Sequence, residues 1–219
     1  MKKINTPTKI TIIRIIMSVL LIVALIIFYL LDQFNVLLVS DFDFTLGGYK
    51  MNYLMIIFWL VFLVASLTDF LDGYLARKNN QVTDLGKFLD PIADKMLINS
   101  LMIFLCINFI SIGGEAKFPW FCVVLMVIRD LVVDGLRFMA ATKNVVLAAN
   151  YWGKAKTVLQ MVAISLVMLN GFPFSIFDSN WLTYLHLTDF VCYLATITSL
   201  IGGFIYLKDN KKVFIDEEK

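Results

Sequence analysis

Four aspartates carry the chemistry of this sequence. Asp69-Phe-Leu-Asp72-Gly73-Tyr-Leu-Ala76-Arg77 closes one apolar stretch, and Gly86-Lys-Phe-Leu-Asp90-Pro-Ile-Ala-Asp94 opens the next. At about 100° per residue, Asp69, Asp72, Gly73 and Ala76 share an arc of roughly 100° on a helix, and Gly86, Asp90 and Asp94 one of roughly 80°. Each helix so formed offers two carboxylates on one face. The small residues beside them let a ligand or a neighbouring helix approach the backbone closely. Four carboxylates in a poorly hydrated site do not all stay ionised without cations. Hard divalent ions with oxygen ligands are the natural neutraliser. In a phosphate-handling site such ions position phosphates and stabilise leaving-group charge. One carboxylate can remain free as general base for a hydroxyl nucleophile. Zinc fits poorly, because the one histidine is His186 and the three cysteines, Cys106, Cys122 and Cys192, lie in apolar runs without a CxxC pair.

A second cluster is basic. Arg129 and Arg137 stand eight residues apart, roughly 80° around a helix. Lys154 and Lys156 follow in Gly153-Lys-Ala-Lys156-Thr157. Together the four cations can receive a second phosphate. Plainer roles stay open for these charges. Asp72 with Arg77, or Asp134 with Arg129, could simply pair between or along helices. Lys154 and Lys156 could reflect only the excess of basic residues on the inner side of a membrane. Arg129 is harder to explain that way, since it lies within an apolar run.

The elements that must position these groups follow from composition. The chain has 219 residues, 60% hydrophobic and 16% charged, with a formal net charge of +2; its mean hydropathy is +0.82. Ordinary soluble domains run about 45–50% apolar and about 25% charged. The comparison excludes a disordered chain, a basic nucleic-acid-binding domain and an ordinary soluble enzyme. It points to an all-α polytopic membrane protein. Six apolar segments can be marked, Ile10–Leu31, Met51–Ala76, Phe88–Ile110, Pro119–Ala141, Val158–Phe174 and Leu182–Tyr206, each near the roughly 20 residues a crossing needs. Ile10–Leu31 is too long for a signal-peptide core and reads as a retained helix. Connections are short, and residues 1–219 read as a single domain. With the N-terminus inside, the outer loops hold only Lys50 and Lys117 of the 19 basic residues, so the expected topology is six transmembrane helices, N-in/C-in. The same loops gather Asp32, Asp41, Asp43, Glu115 and Asp178.

The full spacing, Asp69-x2-Asp72-Gly73-x2-Ala76-Arg77-x8-Gly86-x3-Asp90-x3-Asp94, resembles the signature of the CDP-alcohol phosphotransferases, with every fixed position and gap length matched. Asn5-Thr-Pro7 with Thr11 and Arg14 looks like the family's amino-terminal stretch. Arg129-Asp-x6-Arg137 and Gly153-Lys-x-Lys156-Thr resemble the acceptor-side motifs of its bacterial glycerol-phosphate branch. The resemblance implies six transmembrane helices, a homodimer, and a polar cavity open to the cytoplasm, and the short chain without a transit-like N-terminus suggests a bacterial plasma membrane. It implies transfer of a phosphatidyl group from CDP-diacylglycerol to an alcohol, here sn-glycerol 3-phosphate, giving phosphatidylglycerophosphate and CMP. By position, Asp69, Asp72 and Asp90 are implied to hold a pair of Mg²⁺ or Mn²⁺ ions, with Asp94 the general base and also near metal. Asn5, Thr11, Asp69, Gly73, Ala76, Arg77 and Gly86 are implied to receive the nucleotide, and Arg129, Arg137, Lys154 and Lys156 the acceptor phosphate. The chain departs from the family at Thr8, often Asn, at Asp130, usually Glu, and at Asp134, commonly a small hydroxyl residue. Asp134 adds negative charge near the expected acceptor pocket.

Other readings remain at this stage. Inositol phosphate or another alcohol could be the acceptor, although the basic cluster argues against serine or a neutral polyol. An ion-coupled transporter also carries intramembrane Asp and Arg, but it should show repeat-related interrupted helices, which this sequence lacks. An intramembrane aspartyl protease needs two aspartates and has no use for the glycines or Arg77.

Overall fold

The computed structural model describes residues 6–46, 49–78, 84–107, 117–143, 145, 147, 151–173 and 187–211. Among these, six α-helices carry the fold: α1 (Thr6–Gln33), α2 (Tyr53–Lys78), α3 (Asp84–Leu105), α4 (Trp120–Thr142), α5 (Tyr151–Met168) and α6 (Leu187–Asp209). A short 3₁₀ turn (Val39–Phe42) and two strands, β1 (Asp43–Leu46) and β2 (Tyr49–Asn52), join α1 to α2.

The helix ends have local causes. α1 stops where Asn35 takes a left-handed conformation, φ 53°, and Val36 N–H returns to the Leu31 carbonyl at 2.9 Å, a closure that satisfies carbonyls otherwise left open. The strands form an antiparallel ribbon, with Asp43 opposite Asn52. Asn52 then caps α2, its side-chain oxygen accepting from Leu54 N–H at 2.9 Å and Met55 N–H at 3.4 Å. Its amide nitrogen donates to the Asp43 carboxylate at 2.7 Å.

Buried residues recur at helical spacing. Met55, Phe58, Phe62 and Ala65 line one face of α2, and Cys122, Met126, Asp130, Val133, Leu136 and Ala140 one face of α4. The helices form two groups: α1 packs on α2 and α3, while α6 packs on α4 and α5. α3 bridges the groups by touching both α4 and α5. The helices of the acidic motif belong to the first group and those of the basic residues to the second, and Lys95 of α3 pairs with Asp134 of α4 across the junction.

The expected fold needs correction in two respects. Among the described residues, six helices stand where six apolar segments were marked, but two of them, α1 (from Thr8) and α6, are long and apolar enough to cross a membrane; α2 offers a shorter apolar stretch, Tyr53–Thr68. Among the described residues, then, the expected six crossings do not form a clear six-span polytopic architecture. α3 carries Asp90, Asp94 and Lys95 in its first half, α4 carries Arg129, Asp130, Asp134 and Arg137 through its middle, and α5 opens with Lys154 and Lys156. Part of the apolar surface of these helices is packed between them, with Leu97, Leu101, Met102, Met126 and Ile164 almost fully buried in one cluster, while α4 turns Ile128, Leu131 and Phe138 outward. Secondly, the segment taken as a loop between the first two helices contains the β1–β2 ribbon, so the described chain is not purely α-helical.

Candidate active site

The two halves of the acidic motif sit on consecutive helices. Asp69, Asp72, Gly73, Ala76 and Arg77 occupy the last turns of α2, and Gly86, Asp90 and Asp94 the first turns of α3. The side chains of the five α2 residues lie outside the described residues, as does Asn5 altogether. Among the described residues, no three acidic, histidine or cysteine side chains converge on one point.

α1 holds Asp90 in place. Thr11 Oγ1 donates to Asp90 Oδ1 at 2.9 Å, and Arg14 Nη2 lies 3.7 Å from the same oxygen. Thr11 and Arg14 are three residues apart, so both reach α3 from one face of α1. Arg14 is only 1% exposed, whereas the Asp90 side chain is 47% exposed. A buried cation thus fixes one oxygen of a carboxylate that still faces outward. The motif supplies only carboxylate oxygen donors, a chemistry that fits a hard divalent cation. Asp94, one turn further along, lies within electrostatic reach of Arg14, Lys156, Asp130 and Lys95. The expected base therefore feels charges from both helix groups, Arg14 of α1 and Lys156 and Asp130 of α5 and α4.

The basic cluster is organised by an acid. Asp130 pairs through Oδ1 with Arg129 Nη1 at 3.0 Å and with Lys156. All three side chains are buried or nearly so, Arg129 being 12% exposed and Asp130 7%. Burial pushes the Lys156 ammonium below the ordinary lysine range, and the adjacent Asp130 carboxylate opposes that shift. Arg129 is further anchored by donation from Nε to the Ser199 carbonyl of α6 at 3.0 Å. Arg137 instead donates from Nε to Tyr206 Oη at 3.3 Å, with its guanidinium 5.5 Å from the Tyr206 ring centroid. Lys154 is exposed while Lys156 is buried, because residues two apart on a helix point to different faces. Of the four expected acceptor-phosphate residues, the structure brings Arg129 and Lys156 together.

Asp134 pairs with Lys95 of α3 and not with Arg129. The extra acid near the basic cluster is neutralised by a cation that spacing alone did not single out. Asp130 is the other residue whose role the sequence hid, although a signal existed. It falls on the buried stripe of α4 with Met126 and Val133, four and three residues away, and a carboxylate on an apolar stripe needs a partner.

Comparison with known proteins places the chain in a family. A family model for CDP-alcohol phosphatidyltransferases matches residues 4–201. The chain is 32% identical over 209 residues to a CDP-diacylglycerol–glycerol-3-phosphate 3-phosphatidyltransferase of Bacillus subtilis (strain 168), covering 94% of this chain and 95% of that protein. It is 37% identical over 213 residues to a protein of the same description from Mycoplasma pneumoniae, covering 94% and 87%, and 37% identical over 156 residues to one from Rickettsia bellii, covering 71% and 79%. The family model spans most of the chain and the match to the Bacillus subtilis protein runs along nearly its whole length, and the chain belongs to the CDP-alcohol phosphatidyltransferase family.

Proposed function

We propose that this chain is a phosphatidyltransferase that joins the phosphatidyl group of CDP-diacylglycerol to sn-glycerol 3-phosphate, forming phosphatidylglycerophosphate and CMP in phospholipid synthesis. The observation that carries the reading is the junction itself. Asp94 and the α1-clamped Asp90 stand beside the buried Arg129–Asp130–Lys156 group. A diphosphate site and a site for a second phosphate are then within one substrate's reach.

In this reading the acceptor's phosphate is received by Arg129 and Lys156, with Arg137 and Lys154 at the margin. The cytidine diphosphate is received by Asn5, Thr11, Asp69, Gly73, Ala76, Arg77 and Gly86. Asp94 takes the proton of the acceptor's primary hydroxyl as its oxygen attacks the phosphorus bearing the diacylglycerol. A new phosphorus–oxygen bond forms, the bond to the cytidylate oxygen breaks, and its electron pair leaves with CMP. Membership of the family implies dependence on a divalent cation. Asp69, Asp72, Asp90 and Asp94 would hold two such ions, Mg²⁺ or Mn²⁺, which screen the diphosphate and the charge on the leaving group.

The acyl chains of the donor require the chain to work at a membrane, and the family supports membrane association. The Lys and Arg bias along the sequence supports a site on the cytoplasmic face of a bacterial plasma membrane. The full chain acts as one domain and as a homodimer, the state the resemblance implies.

The test is Mg²⁺-dependent CMP release from CDP-diacylglycerol with a panel of alcohols. Glycerol 3-phosphate should be the preferred acceptor, and preference for inositol phosphate would replace it. Asp94→Asn should lower turnover by about 10²-fold or more while donor binding persists. Normal turnover in that variant removes Asp94 from the base role.

A further inference from the structure

The geometry points to Gly203 of α6 as a positioning residue that sets the aim of Arg129, and so the affinity for the acceptor's phosphate. The inference rests on the acceptor reading above and goes one layer behind it.

Arg129 lies along bare helix backbone. A Cβ added at Gly203 would fall 2.8 Å from Arg129 Cγ, 2.9 Å from Nε and 3.4 Å from Cδ. Real Cβ contacts under about 3 Å mean that something must shift. A free arginine would simply swing aside, but this one is tied at two points. Its Nε donates to the Ser199 carbonyl, one turn before Gly203 on the same face of α6, at 3.0 Å. Its Nη1 donates to Asp130 at 3.0 Å. Moving the stem off a new methyl group therefore breaks the Ser199 contact, turns the guanidinium away from Asp130 and Lys156, or both. α6 acts as a socket: Gly203 gives the room and Ser199 the anchor.

Gly203 is not needed for backbone conformation. It is mid-helix, and the positive-φ glycine among the described residues is Gly171. Alanine is the better helix former, so helix propensity predicts a gain from Gly203→Ala where the socket predicts a loss of function. The neighbouring glycine serves another purpose. A Cβ at Gly202 would meet Trp152 Cβ of α5 at 2.7 Å and its backbone carbonyl carbon at 3.5 Å, which makes Gly202 a packing contact between α5 and α6.

The experiment uses the purified full chain with CDP-diacylglycerol in detergent micelles and glycerol 3-phosphate as the varied acceptor. Gly203→Ala should raise the acceptor KM about tenfold, with the donor KM within about twofold. In an Arg129→Ala background, adding Gly203→Ala should change the acceptor KM by less than about twofold, because the aimed group is gone. Arg129→Lys keeps the charge but loses Nε and the planar fork, and should raise the acceptor KM as Gly203→Ala does. Gly202→Ala should lower thermal stability without this acceptor-selective change. A wild-type acceptor KM in Gly203→Ala or in Arg129→Lys overturns the inference, as does a Gly203→Ala penalty that persists without Arg129. Arg129→Lys decides the matter even if Gly203→Ala does not fold. Failure of the unmutated chain to release CMP overturns the function reading, whereas an active chain indifferent to these variants overturns only the socket.

Discussion

At the scale of the residue, the site depends on carboxylates being held by neighbours outside the signature. Asp90 is the best-defined case, clamped by Thr11 and Arg14 from α1. Thr11→Val keeps the shape and removes the donor. A hydrogen bond to a half-exposed carboxylate contributes about 1 kcal/mol, so the Mg²⁺ concentration for half-maximal turnover should rise about fivefold. An unchanged Mg²⁺ titration would mean that Thr11 does not position Asp90. Lys156 gives a second prediction. Burial holds its ammonium below the ordinary lysine value of 10.5, with the adjacent Asp130 carboxylate opposing the shift, so the charge is lost at a lower pH than that of an exposed lysine. The acceptor KM should therefore climb as pH rises toward that value from below. Lys156→Arg stays charged across the range, and its acceptor KM should be flat there. The same alkaline climb in Lys156→Arg would assign the titration to another group. Residue type and spacing single out Asp69, Asp72, Asp90 and Asp94, since four acids at helical intervals are costly without a purpose, and of these the structure describes the partners of Asp90 and the surroundings of Asp94. The pairing of Asp130 with Lys156 and of Asp134 with Lys95 was not legible from type and spacing, because it depends on which helices touch.

At the scale of the element, the α1–α2 connection matters as much as the helices it joins. Asn52 ends the β1–β2 ribbon and begins α2, bonding backwards to Asp43 and forwards to Leu54 and Met55. α2 ends with half of the acidic motif, so its start fixes the register of its end. Asn52→Ala should cost about 1 kcal/mol of stability, read as a lower midpoint in thermal unfolding, with acceptor and donor KM values little changed. A drop in kcat at unaltered stability would instead place the ribbon in the catalytic machinery. The ribbon itself had a faint signal, two short runs flanking Gly47-Gly48, a pair that suits a tight hairpin turn. It was obscured because apolar residues on either side read as the ends of helices. The helices were legible from their long apolar periodicity, and their approximate positions agree with the marked segments.

At the scale of the whole molecule, the number of crossings was the feature that hydropathy misjudged. A window average counts apolar residues without asking what they cover. In α3 and α5, Leu97, Leu101, Ala163, Ile164 and Val167 are buried against other helices, and the remaining positions include the charges of the site. α1 and α6 present Leu20, Ile26, Leu30, Ile197 and Phe204 outward and also meet the length and composition of a crossing; α2 and α4 turn apolar residues outward as well, Leu60, Leu67, Leu131 and Phe138 among them. Exposed apolar surface of this extent on a folded chain marks contact with lipid or with another protein. Lipid contact through α1 and α6 predicts that the chain stays with the membrane pellet after an alkaline carbonate wash and is released only by detergent. Replacing Leu20 and Ile26 of α1 with Lys puts two charges on its outward face. Each charge costs about 3 kcal/mol at the centre of a membrane helix, so the variant should shift toward the carbonate-soluble fraction. If the variant remains as firmly bound as the parent chain, α1 is not the anchor. Release of the unmutated chain by carbonate alone would instead make these surfaces protein contacts, and the donor would then be drawn from a bilayer the chain only touches.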